Sequence, residues 1–128
     1  MKAIVITTDN TMVIKEFDRP LYKSVGKAVG GYIEHVRAAL LPEPYCMIVN
    51  EEGLLIGLPM NLVGSLMYGT PRHGAPIVGN IVLMKDGYTE EGPDIVGLED
   101  DEIEALVRKV SEISCGVVKL SEQEATHG

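Results

Sequence analysis

A chain of 128 residues with a formal net charge of −8 and a pI near 4.8 has the size of one domain. It lacks the clustered Lys and Arg that a nucleic-acid footprint requires, so a polymeric nucleic acid is not an expected partner. With 45% hydrophobic residues but one Phe, five Tyr and no Trp, the core must be built from Val, Ile, Leu and Met.

At the N-terminus the apolar run after Lys2 is too short for a signal-peptide core or a membrane span, and a cytoplasmic protein is expected. The segments "KAIVITT" and "TMVIKEF" flank Asp9-Asn10, a pair that tolerates the positive φ of a tight turn, and predict a hairpin. Pro20 suits the first turn of a helix. Leu21, Val25, Ala28 and Val29 then mark its apolar face, and Gly30-Gly31 ends it. "YIEHV" alternates as a strand. "YCMIVN", "EEG" and "LLIGL" predict a second hairpin turning at Gly53.

Asn61 is placed to cap a short helix over Leu62, Val63, Leu66 and Met67, weakened by Gly64 and ended by Gly69. "PIVGNIVLMK" reads as a long strand interrupted at Gly79-Asn80, and "DGYTEEGPDIVGLED" as an acidic connection. Ile103, Leu106, Val107, Val110 and Ile113 line one face of the last helix, with acids at its start and Arg108 and Lys109 toward its end. "GVVKL" offers a short strand. The expected architecture is α+β, a mostly antiparallel sheet with two or three helices packed on one side, in one domain over residues 1–120; residues 121–128 are expected to be a disordered tail.

No phosphate-binding or hydrolase motif is present, and a cofactor is not expected. Cys46 and Cys115 have no zinc or redox spacing and are expected to be reduced and buried. His35, His73 and Cys46 with a carboxylate could meet at a metal only from distant positions, so no metal site is expected. The acidic run lacks the alternating oxygen ligands of a calcium loop. Between Asp86 and Glu112 stand ten carboxylates against Lys85, Arg108 and Lys109, a face that could obstruct a protein partner.

The segment "MYGTPRHGAP", residues 67–76, differs from the rest of this acidic chain. It holds a ring in Tyr68, a hydroxyl in Thr70, a planar cation in Arg72 and a titratable donor in His73, with no acid among them. Its glycines and prolines allow close backbone approach and limit the unbound conformations. These are groups suited to a base ring and a phosphate; the alternative is an ordinary connection facing water. Asn61 and Asn80 either hold backbone or aim amides into the same pocket.

The stretches "MKAIVITTDNTMVIKEF", "VGGYIEHV", "VNEEGLLIGLPMN", "HGAPIVGN" and "GLEDDEI" resemble a family of small proteins of unknown function encoded by bacteriophages and mobile elements. The resemblance covers roughly Lys2 to Val107 and brings no catalytic residue. What it implies is a short accessory protein of a mobile element, a type that often acts against host defence. The expectation is a non-enzymatic, self-associating protein that sequesters a small nucleotide-like immune signal through Tyr68, Thr70, Arg72, His73, Asn61 and Asn80. The alternatives are an acidic, DNA-mimicking inhibitor of a host defence protein, and a small enzyme using His73 or His35 with carboxylates.

Overall fold

The computed structural model describes residues 1–121. β1 (Lys2–Ile6) and β2 (Thr11–Glu16) form the expected hairpin, closed by Thr7 N–H donating to the Thr11 carbonyl and by Asn10 at φ 67°. α1 (Leu21–Val29) follows Pro20 and stops at Gly30, whose φ of 87° is the left-handed geometry that glycine adopts without strain. β3 (Ile33–Val36) and β4 (Tyr45–Asn50) pair antiparallel. Next come α2 (Leu62–Tyr68), the single turn α3 (Thr70–His73), β5 (Ile81–Thr89), β6 (Gly92–Val96), α4 (Asp100–Ile113) and β7 (Lys119–Ser121).

The seven strands make one sheet in the order β3-β4-β5-β1-β2-β7, with β6 continuing along the far half of β5. Every pairing is antiparallel except β2 with β7. The fold is therefore α+β with a mostly antiparallel sheet, as the pattern predicts. β7 lies within "GVVKL", while the expected tail beyond Ser121 lies outside the described residues.

Strand alternation sends Ile4, Ile6, Met47, Val49, Ile81 and Leu83 to one face, where Val63 and Met67 of α2 and Ile103, Leu106 and Val110 of α4 cover them. Ala3, Val5, Cys46, Ile48, Val82 and Met84 point the other way and meet Leu21, Val25 and Val29 of α1. Helices thus pack together on one side as expected, and α1 shields the opposite side. Gly64 explains itself here: a Cβ would stand 3.0 Å from Ile81 and 3.1 Å from Ile77, so its absence lets α2 lie close to the sheet.

Two expectations about the secondary structure fail. Residues 54–58 do not form the return strand of a hairpin, because β4 already pairs with β3 on one edge and β5 on the other. Instead Asn50 Oδ1 accepts from Glu52 N–H at 2.8 Å, Ile56 N–H donates to the Glu52 carbonyl, and Leu58 N–H donates to the Gly53 carbonyl, coiling the segment into consecutive turns. The second failure is the acidic connection after Lys85, which is a hairpin: β5 runs on to Thr89 and β6 returns from Gly92, at φ 110°.

Candidate functional site

Asn50 ties the N-terminal helix to the turns that follow β4. Its buried Nδ2 donates to the Val29 carbonyl at the end of α1, while its oxygen begins the 51–57 turns. Those turns, the end of α2 and residues 75–78 border a cleft of about 160 Å³ against β3 and β4. Val36, Val49, Leu54 and Ile77 give it apolar walls, Glu34 and Glu51 add carboxylates, and half-buried Tyr68 is part of its lining.

Of the residues singled out from sequence whose side chains are described, Tyr68 is the one that lines this cleft. Residues 70–73 are the helical turn α3, pinned between Gly69 at φ 89° and Gly74 at φ 81°. The Thr70 hydroxyl donates to the Ala75 carbonyl at 2.9 Å, so its proton is already committed. Arg72 is exposed, meets no carboxylate within ion-pair distance among the described residues, and lines none of the described clefts. His73 ends α3. Asn61 is fully buried, with Nδ2 donating to the carbonyls of Ile6 and Gly79 and Oδ1 accepting from Gly64 N–H. Asn80 Oδ1 accepts from Thr8 N–H at 3.2 Å. Both amides hold backbone, the structural alternative left open by the sequence.

Beside the cleft, the 51–57 turns present large apolar side chains to solvent. Leu54 is 62% exposed, Leu55 82%, Ile56 57% and Met60 54%. No charged residue interrupts Gly53 to Leu62. A strand over "LLIGL" would have hidden half of this patch by alternation; the turns expose it.

The ten-carboxylate stretch is partly neutralised. Asp100 meets Lys2 at 2.8 Å, Glu102 meets Lys85 at 2.7 Å, Asp86 meets His35 at 2.8 Å, Asp94 meets Arg19 at 3.6 Å and Glu104 meets Arg108 at 3.8 Å. Burial pushes the Glu102 carboxyl up, but Lys85, the Glu99 amide and the Tyr45 hydroxyl outweigh it and hold the group below its ordinary value.

A second constellation lies on the α1 face. His35 of β3, Cys46 of β4 and Asp86 of β5 place one donor atom each within 4.8 Å of one another. Cys46 is buried, whereas Cys115 is exposed, contrary to expectation. Burial, reinforced by the charge and hydrogen bonding of Asp86, pushes the Cys46 thiol up to about 12. A protonated thiol is a weaker nucleophile than a thiolate. Linear spacing had left these residues apart, because Cys46 and Asp86 stand 40 positions from each other (86 minus 46). Only the strand order brings them together.

Fold and clefts define an α+β protein built on one open seven-stranded sheet. Residues 1–111 match the family model described as a domain of unknown function, DUF3846, and the chain belongs to that family. No curated protein and no solved structure matches the chain.

Proposed function

We infer that the protein is a non-catalytic binding protein that takes a small, ring-bearing, nucleotide-like ligand in the Tyr68 cleft and self-associates through residues 54–62. The observation that carries this reading is the position of Tyr68, half-buried in a cleft whose walls are apolar and whose polar groups include two carboxylates. Apolar walls accept the faces of a flat heterocycle, and carboxylates accept from its amino and imino groups. Glu34 and Glu51 do not suit a phosphate. Arg72, four residues along the chain from Tyr68, is exposed and lies outside the lining, so a phosphate would have to extend beyond the cleft to meet it.

The uncharged, apolar 54–62 segment adjoins this cleft through Leu54. On a molecule of net charge −8 it is a region where a second copy meets less local like-charge repulsion than at the acidic faces. In this reading the protein is a mobile-element sponge for a nucleotide immune signal in the host cytoplasm. The alternative of an acidic inhibitor has less support, since four of its ten carboxylates already face a Lys or Arg of the same chain and a fifth meets His35.

Thermal denaturation with a panel of cyclic dinucleotides tests the reading. One member should raise the melting temperature in a concentration-dependent way, Tyr68→Ala should remove the rise, and denaturing the complex should return the ligand intact. No rise with any member, or a rise that ignores Tyr68→Ala, overturns the assignment to this cleft. Recovery of altered ligand would make the protein an enzyme.

A further inference from the structure

Three neighbouring strands carry the inference. In β3, His35 stands opposite Ile48; in β4, Cys46 stands opposite Met84 and two residues from Ile48; in β5, Asp86 is two residues beyond Met84. The period of two therefore puts His35, Cys46 and Asp86 on one face, at one end of the sheet, with β4 in the middle. Their positions are set by ladder register on rigid elements and owe nothing to loop conformation. Nε2 of His35 lies 2.8 Å from Oδ1 of Asp86, and the buried Sγ of Cys46 completes a triangle with no side above 4.8 Å.

We propose that His35, Cys46 and Asp86 form a binding site for a thiophilic divalent cation, zinc by chemical preference, with its fourth position open to solvent. A tetrahedral zinc with bonds of about 2.0 Å to nitrogen or oxygen and about 2.3 Å to sulfur has ligand–ligand edges of about 3.3–3.6 Å. The observed triangle needs only side-chain adjustment to reach those edges. The donor set is one imidazole, one thiolate and one carboxylate, which suits zinc and disfavours magnesium or calcium, whose shells are oxygen. Charge balances as well: a neutral imidazole and two anions cancel a divalent ion.

Binding forms a sulfur–metal bond and breaks the S–H bond of Cys46, whose proton leaves to solvent. A proton on His35 Nε2 is vacated as well, relocating to Nδ1 where the imidazole is neutral and passing to solvent where it is an imidazolium, and the metal's oxidation state does not change. Solvent reaches the site from the His35 and Asp86 side, where the side chains are 43% and 57% exposed; Cys46 forms the buried floor. Three protein ligands with one open place is the coordination of zinc sites that hold water or an exogenous ligand.

Cobalt(II) is the probe. One equivalent added to the full chain, purified with chelator, should give a thiolate-to-cobalt charge-transfer absorption, and zinc should displace it while releasing protons. His35→Gln and Asp86→Asn should each weaken cobalt binding by about tenfold or more, Cys46→Ser should abolish the band, and Cys115→Ser should leave it unchanged. If Cys46→Ser fails to fold by circular dichroism, His35→Gln, at an exposed position, decides. No band in the wild type, a band that survives His35→Gln with equal affinity, or a band lost in Cys115→Ser overturns the site. None of these outcomes depends on the Tyr68 cleft.

Discussion

The side-chain amide of Asn61 donates to the carbonyl of Ile6, 55 residues earlier in the chain, at 3.0 Å. The same nitrogen reaches the Gly79 carbonyl at 2.9 Å, and the oxygen caps α2 through Gly64 N–H. One buried residue thereby joins the end of β1, the segment before β5 and the start of α2. Asn61→Ala should cost about 2–4 kcal/mol, combining a lost helix cap with two carbonyls deprived of a buried partner. Urea denaturation measures it. A variant of wild-type stability that only loses ligand affinity would mean that the amide serves a guest and not the frame.

Glu102 joins α4 to the sheet, accepting from Lys85 at 2.7 Å and Tyr45 at 3.1 Å while its other role closes a capping box with Glu99. Its side chain is 17% exposed, so the pair is less screened than a surface bridge. Glu102 has a depressed folded value, so its contribution is complete above the ordinary 4.5 and is lost as pH falls through the folded value. Lys85 is raised, chiefly by its hydrogen bond to Glu102. Its contribution is present below 10.5 and is lost as pH rises through the folded value. Glu102→Ala should therefore destabilise by about 1–3 kcal/mol near neutrality and by less below pH 4. Denaturation midpoints across pH check it: a loss that stays constant into acid would show that capping geometry, not charge, carries the effect.

Local signals were legible where one chemical group decides the outcome. Pro20, Gly30, Asn61 and Gly69 bounded helices correctly because caps and left-handed positions depend on the residue that occupies them. Strand partners did not follow, since Leu54 to Leu58 has the composition of a strand and only the occupied edges of β4 deny it one. The candidate site divides in the same way. Tyr68 was recognisable as a ring in a constrained segment, but the carboxylates that line its cleft, Glu34 and Glu51, come from elsewhere in the chain. His35, Cys46 and Asp86 were individually visible. Their meeting depends on β3, β4 and β5 being neighbours, which no spacing encodes.

Gly79 sets the approach of the 51–60 turns to the sheet. At φ 77° it occupies left-handed backbone, and a Cβ there would stand 2.7 Å from Leu58 Cδ1. The methyl of Leu58 can move, so the dihedral is the larger obstacle. Gly79→Ala should lose about 1–2 kcal/mol, and proteolysis within residues 51–60 should accelerate as Leu58 is displaced. Unchanged cleavage alongside lowered stability would place the damage in the Gly79 N–H bond to the Pro59 carbonyl instead.

Leu55 tests the proposed self-association without touching the core. At 82% exposure it contributes little to folding, so Leu55→Glu should change stability by no more than about 0.5 kcal/mol. If the 54–62 segment is buried against a second copy, the same substitution forces a carboxylate into an apolar contact, and the loss of association should be large. Sedimentation velocity over a range of concentrations should give a wild-type oligomer that Leu55→Glu converts to a monomer still folded by circular dichroism. An oligomer that tolerates the carboxylate would move the interface elsewhere. A wild type that stays monomeric at all concentrations would overturn self-association through the exposed Leu54, Leu55, Ile56 and Met60.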